Sequence, residues 1–144
     1  MPAAAVVIDD RLLIEELLVG LTQTTDALHT TAYWYYRACR AAVIGAGGHL
    51  SGPFAQLDAD QQSSAIASLL SLRDDIGLPD PRVTIPTMAE LSQRYPRLNL
   101  LNLEAAAAAL TLNATVWLSR EATSGILPGV LDAEGIPWRT LELT

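Results

Sequence analysis

The sequence contains no lysine, one cysteine and no long apolar run, and each scarcity argues against a class of protein. Nine arginines supply all the positive charge against sixteen acidic residues, so the net charge is −7 and the isoelectric point is about 4.6. An acidic chain is a poor non-specific binder of nucleic acid, because affinity for phosphates comes from Lys and Arg. Cys39 has no second cysteine with which to form an intrachain disulfide, which favours a reducing compartment.

Targeting and membrane signals are also missing. The first residues lack the basic region and long apolar stretch of a signal peptide, since carboxylates appear by residue 9. No apolar run approaches the roughly 18–20 residues needed to cross a bilayer. A chain of 144 residues, 50% of them hydrophobic, suits one compact domain. We therefore expect a single domain over residues 1–144, cytoplasmic and without a membrane segment.

Hydrophobic patterns predict strands that alternate with helices. Strands are predicted at residues 3–8, 83–85, 114–119 and 138–143, the last at a sheet edge. Helices are predicted at 10–19, at 31–43 within a longer candidate stretch from residue 22, and at 58–77, 87–95 and 101–112. A short helix is predicted to start near Pro128 within 125–135, and a loop is predicted at 45–53. This alternation predicts an α/β three-layer sandwich, in which a mostly parallel sheet of four to five strands has helices on both faces.

Acidic side chains follow two of the predicted strands. Asp9 and Asp10 come directly after the first strand, and Glu121 follows "VWLS" by one residue. Glu104 lies near the start of the alanine-rich helix that leads into that later strand. If the two strands are parallel neighbours, these carboxylates meet at the carboxyl edge of the sheet, where ligands bind in such folds. Clustered carboxylates raise one another's pKa, and oxygen ligands select hard cations such as Mg²⁺ or Mn²⁺.

Each acid also has an ordinary structural interpretation. Asp9 or Asp10 would serve as a helix cap, and Glu104 would be favoured by the dipole of its helix in a first turn. Glu121 would be a solvated loop residue. Taken singly, these structural interpretations are the more common ones, whereas the order and spacing of the acids together favour a shared site.

Three segments resemble a known family. "VVIDDRLLIEELL" (6–18) resembles the opening of PIN domains, "LNLEAAAAALTLNATVWLSRE" (101–121) their later signature, and "LDAEGIPWRTLEL" (131–143) their usual ending. The resemblance implies a metal-dependent ribonuclease, in some members the toxin of a toxin–antitoxin pair. It makes Asp9, Glu104 and Glu121 the catalytic acids, which with Asp10 would hold Mg²⁺ or Mn²⁺. It also implies RNA as substrate, a homodimer, and an antitoxin or other protein partner.

The family's second acid is missing from this chain. The corresponding helix, "TTAYWYYRACRAAV" (30–43), contains no acid and has Arg37 near the expected place. In one interpretation Arg37 neutralises the carboxylates and leaves a catalytically degenerate module that dimerises or binds a protein. In the other, Arg37 and Arg120 contact the phosphates of a substrate.

Two further patterns point to other ligands. "VIGAGGHL" (43–50) superficially resembles a dinucleotide fingerprint, but the residues before it are predicted to be helical and Leu50 occupies the third-glycine position. "YWYY" (33–36) lies beside Arg37 and Arg40 and offers rings for base stacking, although packing is the commoner role of such aromatics in a helix. An unrelated α/β domain that binds a nucleotide is therefore a third hypothesis.

Overall fold

A computed structural model describes residues 4–21, 26–44 and 57–142. Its sheet has four strands, all parallel, in the order β2-β1-β3-β4: β1 Ala5–Ile8, β2 Ala27–His29, β3 Thr115–Ser119 and β4 Trp138–Leu141. The described α-helices are α1 Asp10–Leu18, α2 Ala32–Ile44, α3 Ala59–Leu70, α4 Pro81–Arg94, α5 Leu100–Leu112 and α6 Leu127–Ala133. A 3₁₀ helix, Arg120–Ser124, follows β3. None of the described helices has the length and apolarity to cross a membrane.

A hydrophobic core lies on each face of the sheet. Because successive strand residues point to opposite faces, Val7 and Leu118 pack with α4, α5 and α6, whereas Ile8 and Trp117 pack with α1, α2 and α3. Both outer helical layers are therefore covered on their inner side by apolar strand residues. The predicted α/β three-layer sandwich is confirmed, and β4 lies at an edge of the sheet as predicted.

The alanine-rich helix α5 packs closely against its neighbours. Ala105 to Ala109 are at most 1% exposed, and the helix contacts β1, α2, α4 and α6. A helix that is apolar on nearly all sides is typically buried between other elements, and small side chains permit a close approach. Asn113 ends α5 in the left-handed conformation at φ 53°, which asparagine tolerates better than most residues. The position of α5 brings its one acidic residue, Glu104, next to the start of α2.

The predicted strand at 83–85 and the separate helix at 87–95 are wrong. Both belong to the single helix α4, which starts after Asp80, whose side chain accepts a hydrogen bond from the Arg82 amide at 3.0 Å. Pro81 occupies the first turn, where a missing N–H costs no helical hydrogen bond. Pro86 lies inside the helix, at the point that separates the strand predicted at 83–85 from the helix predicted at 87–95. Its ring removes one hydrogen bond at the carbonyl of Arg82, an exposed residue that solvent can reach.

Two other boundaries differ from the prediction. The helix predicted at 31–43 is present, but the candidate stretch around it also contains the strand β2, which was not predicted because its three residues are too few to show a period of two. The helix predicted at 58–77 ends at Leu70, and the residues that follow lead back to the sheet, where Gly77 bridges to His29. The loop predicted at 45–53, with most of the glycine motif at 43–50, lies outside the described residues.

Candidate functional site

Asp9 ends β1 and caps α1. Its Oδ1 accepts a hydrogen bond from the Leu12 amide at 2.9 Å, which is the usual role of an N-cap aspartate. Its Oδ2 accepts two more, from the amide of Ser119 at 2.8 Å and from its Oγ at 2.6 Å. Ser119 is the last residue of β3, so the fully buried Asp9 carboxylate ties together the carboxyl ends of two neighbouring strands.

Burial dominates the ionisation of Asp9. Removal from water raises the pKa of Asp9 to about 6 from 3.8, even though the hydrogen bonds from Ser119 and Leu12 act to lower it. The neighbouring charge of Asp10 adds a smaller upward push. Asp9 is therefore an acid that holds its proton to a higher pH than an exposed aspartate.

Asp10 pairs with an arginine from α2. It is the first residue of α1, its Oδ1 accepts from the Arg11 amide at 2.9 Å, and its Oδ2 lies 3.0 Å from Nε of Arg37. The Asp10 side chain is 8% exposed and that of Arg37 is 41% exposed, so the pair sits at the boundary between core and solvent. Arg37 thus supplies a positive charge beside Asp10.

Glu104 caps the start of α2 from another helix. Its Oε2 accepts from the Ala32 amide at 3.0 Å and its Oε1 accepts from the Tyr33 amide at 2.8 Å. First-turn amides have no partner within their own helix, and a negative charge there is also favoured by the helix dipole. The hydroxyl of Thr31 accepts from the Trp34 amide at 3.0 Å and completes this turn. Both oxygens of the buried Glu104 therefore have a structural role.

Glu121 and Arg120 lie on the surface. Both belong to the 3₁₀ helix after β3, and Glu121 Oε2 lies 3.5 Å from Nε of Arg11. The Glu121 side chain is 52% exposed, so this ion pair is largely solvated and weak. Arg120 is also exposed, and its backbone carbonyl accepts from the hydroxyl of Thr123 at 2.6 Å.

The four predicted acids lie toward one end of the sheet, but each has its own partner. Asp9 and Asp10 follow β1, Glu104 binds the residues just beyond β2, and Glu121 follows β3. Within residues 4–21, 26–44 and 57–142, no three His, Cys, Asp or Glu side chains form a group that could hold a metal ion. In this arrangement the four carboxylates do not form one set of ligands for Mg²⁺ or Mn²⁺: amide and hydroxyl donors hold Asp9 and Glu104 in separate places, while Arg37 and Arg11 face the other two.

Three buried hydroxyl residues at this edge were missed from the sequence. Ser119 bonds Asp9 twice, Thr30 donates its hydroxyl to the Ile8 carbonyl at 2.8 Å, and Thr31 caps α2. All three are at most 2% exposed. For Ser119 the available signal was a small polar residue at the end of a predicted apolar strand, since a buried hydroxyl needs a hydrogen-bond partner. Thr30 and Thr31 follow β2, which was not predicted, so there was no such signal for them.

A cavity of about 520 Å³ lies beside Glu104. It is bounded by the start of α2, by α4 with the residues before it, and by α5. The described residues that line it are Ala32, Tyr33, Pro79, Pro81, Thr84, Ile85, Met88, Ala89, Ser92, Leu100, Leu103 and Glu104. Its walls are mainly apolar, and Glu104 is the only charged residue among these.

The sequence matches no protein-family model and none of the curated proteins. The fold, however, matches a chain of the 2.2 Å structure of VapBC-1 from nontypeable Haemophilus influenzae, with a TM-score of 0.52. The alignment covers 94% of this chain and 97% of that one. The fold is PIN-like. At 16% identity the likeness concerns the fold alone, so any activity of this PIN-like chain has to be argued from its own residues.

Proposed function

We propose that this chain is a catalytically degenerate PIN-like domain that acts by binding protein, through self-association and through a partner of the antitoxin kind. The observation that carries the proposal is the 3.0 Å ion pair between Arg37 and Asp10. A guanidinium at this position supplies the positive charge that a cation would otherwise supply. The carboxylates then stabilise the folded structure and do not bind a metal ion, and the domain acts by binding protein.

The protein partner is supported by the structural neighbour. VapBC-1 is a toxin–antitoxin complex in which VapC is a PIN domain. A PIN-like domain thus has a precedent for stable binding to a second protein. We extend this partner class to the present chain as part of the proposal.

Self-association is supported by an apolar stripe on α2. The exposed residues Tyr33, Tyr36, Val43 and Ile44 are 41%, 61%, 67% and 60% exposed and recur at spacings that place them along one side of the helix. Exposed Arg40 lies within the same stripe. Aromatic residues and arginine are enriched in protein interfaces, and contiguous exposed apolar residues mark interaction surfaces.

Replacing Tyr36 and Val43 together by aspartate is expected to convert a dimer into a monomer. The two new carboxylates would have to be buried in the interface with Arg40 of the same stripe between them, so at least one negative charge would lack a partner. Sedimentation equilibrium at micromolar concentration measures the mass directly. The matched control is Leu70→Asp on α3, which is 50% exposed and lies outside the stripe. A wild-type monomer, or a dimer that survives the double substitution, would refute self-association through α2.

Replacing Arg37 by glutamate is expected to create Mn²⁺ binding. The substitution removes the cation beside Asp10 and adds an acid on α2, where the PIN signature has its second acid. Calorimetric titration should give a saturable heat for Arg37→Glu and none for Arg40→Glu, which makes the same charge change at an exposed position of the same helix. Equal behaviour of the two variants would show that the arginine does not stand in for a cation.

A metal-dependent ribonuclease is the second candidate. It is favoured by the placement of the four acids toward one end of the sheet and by the exposure of Arg37 and Arg120, which makes both available to phosphates. RNA cleavage by purified protein that requires Mg²⁺ or Mn²⁺ and is lost in Asp9→Asn would establish this candidate. Such a result would also overturn the degenerate interpretation.

A further inference from the structure

The cavity beside Glu104 is formed by three helices and has a buried floor and an exposed rim. Thr84, Leu103 and Glu104 are at most 6% exposed and form its buried part. Ile85 and Leu100, at 59% and 55% exposed, form an open apolar rim. A volume of about 520 Å³ lies within the range of roughly 300–1,000 Å³ found for small-molecule pockets. The cavity therefore has the size and shape of a ligand site.

The side-chain polar groups of the floor and wall offer acceptors. Thr84 donates its hydroxyl proton to the Asp80 carbonyl at 3.2 Å, and Ser92 donates its own to the Ala89 carbonyl at 2.7 Å. Their protons are used, which leaves oxygen lone pairs. Glu104 accepts one amide hydrogen bond on each oxygen, whereas a carboxylate has about four acceptor positions. A ligand that enters would find acceptors for its own donors.

The cavity also keeps a negative charge. Glu104 is the one carboxylate among the described lining residues, and the start of α2 that it caps supplies the equivalent of only about half a positive charge. Neither a lysine nor an arginine nor a histidine is among the described lining residues. In an apolar surrounding such an uncompensated charge attracts a cation more strongly than it would in water.

We propose that this cavity binds a small amphiphile with one cationic donor group, of the primary alkylammonium class. The alkyl chain would lie between Met88, Ile85 and Leu100, and the ammonium would face the open lone pairs of Glu104. An ammonium has three donors and no acceptor, which complements the acceptors on the floor. The proposal goes beyond the binding function argued above and does not depend on it. The cavity shares Tyr33 with the exposed stripe, but Tyr36, Val43 and Ile44 do not line it, and its walls are formed mainly by α4 and α5.

The test uses three six-carbon probes that differ only in the headgroup. Hexylammonium, hexan-1-ol and hexanesulfonate are each titrated into the wild-type chain. Binding is followed by the NMR shifts of the Ala32 and Tyr33 amides, which donate hydrogen bonds to Glu104. We expect saturable shifts with hexylammonium, affinity weaker by about tenfold for the alcohol, as for loss of one charge-assisted hydrogen bond, and no binding of the sulfonate. Equal affinity for all three probes, or no saturable shift at 10 mM, would overturn the proposal.

Two tryptophan variants locate the site. Ala89 is an exposed lining residue on α4, so Ala89→Trp fills the cavity without touching the core, and it should abolish hexylammonium binding. Ala67→Trp makes the same change at an exposed position of α3 and should leave the affinity unchanged. Retained binding in Ala89→Trp would place the probe elsewhere and refute the assignment. Because neither variant alters Glu104, the test survives even if that residue proves essential for folding.

Discussion

Replacing Glu104 by alanine is expected to lower the free energy of unfolding by about 2–4 kcal/mol. The change removes the acceptor of two first-turn amides, those of Ala32 and Tyr33. Hydrogen bonds to a charged group contribute about 1.5–3 kcal/mol each, and part of that is recovered where water reaches the freed amides. The loss should be seen in urea unfolding, together with faster amide exchange in the first turn of α2.

Two further variants separate the capping role of Glu104 from a general charge effect. Glu104→Gln keeps one oxygen and should lose about half as much stability as alanine, because its NH₂ group cannot accept. Glu90→Ala removes an exposed acid from α4 and should change stability by less than about 0.5 kcal/mol. If Glu104→Ala were as mild as Glu90→Ala, the carboxylate would not hold α2 in place.

The pH dependence of stability should carry the signature of Asp9. Its pKa is raised by burial from 3.8 to about 6, so between these pH values the folded chain holds a proton that the unfolded chain has released. Proton binding then favours the folded state, and the contribution of Asp9 to stability is lost as the pH rises through that window. A shift of this size corresponds to about 3 kcal/mol.

The comparison with Asp9→Asn isolates this contribution. Asparagine has a similar shape and does not titrate, while every other carboxylate of the chain is common to both proteins. We expect the free energy of unfolding of wild type, measured relative to Asp9→Asn, to fall by about 2.5 kcal/mol between pH 4 and pH 7. Urea unfolding at four pH values measures the difference. Parallel curves of unfolding free energy against pH would mean that burial does not raise the pKa of Asp9.

Local signals in the sequence identified most of the fold. An apolar run without alternation predicted a strand covered on both faces, and the pair Asp9 and Asp10 in front of an amphipathic segment predicted a strand end and a helix cap at one of the two. These inferences succeed because the interactions involved span only a few residues, such as the bond from the Leu12 amide to Asp9. The errors fell on β2, which is too short to show a pattern, and on Pro86, where a single residue outweighed the helical signal around it.

The partners of the acids could not be predicted in the same way. The bond between Glu104 and the Tyr33 amide joins residues 71 apart, and that between Asp9 and Ser119 joins residues 110 apart. Sequence order shows that acids follow strands, but the distance between two side chains depends on how the helices pack. Arg37 is the intermediate case: the sequence indicated a cation near the acids, and the structure identifies Asp10 as the residue with which it pairs.

A calorimetric titration of the wild-type chain with Mn²⁺, with Asp9→Asn measured alongside, is the most direct test of whether Asp9, Asp10, Glu104 and Glu121 are occupied by groups of the protein and do not bind a metal ion. The account predicts no saturable heat at millimolar Mn²⁺ for either protein at pH 7.5, because each of the four carboxylates is held by its own amide, hydroxyl or arginine partner, so that they do not share one set of metal ligands. Saturable binding by the wild type that disappears in Asp9→Asn would contradict it, and would show that the four acids still form a cation site.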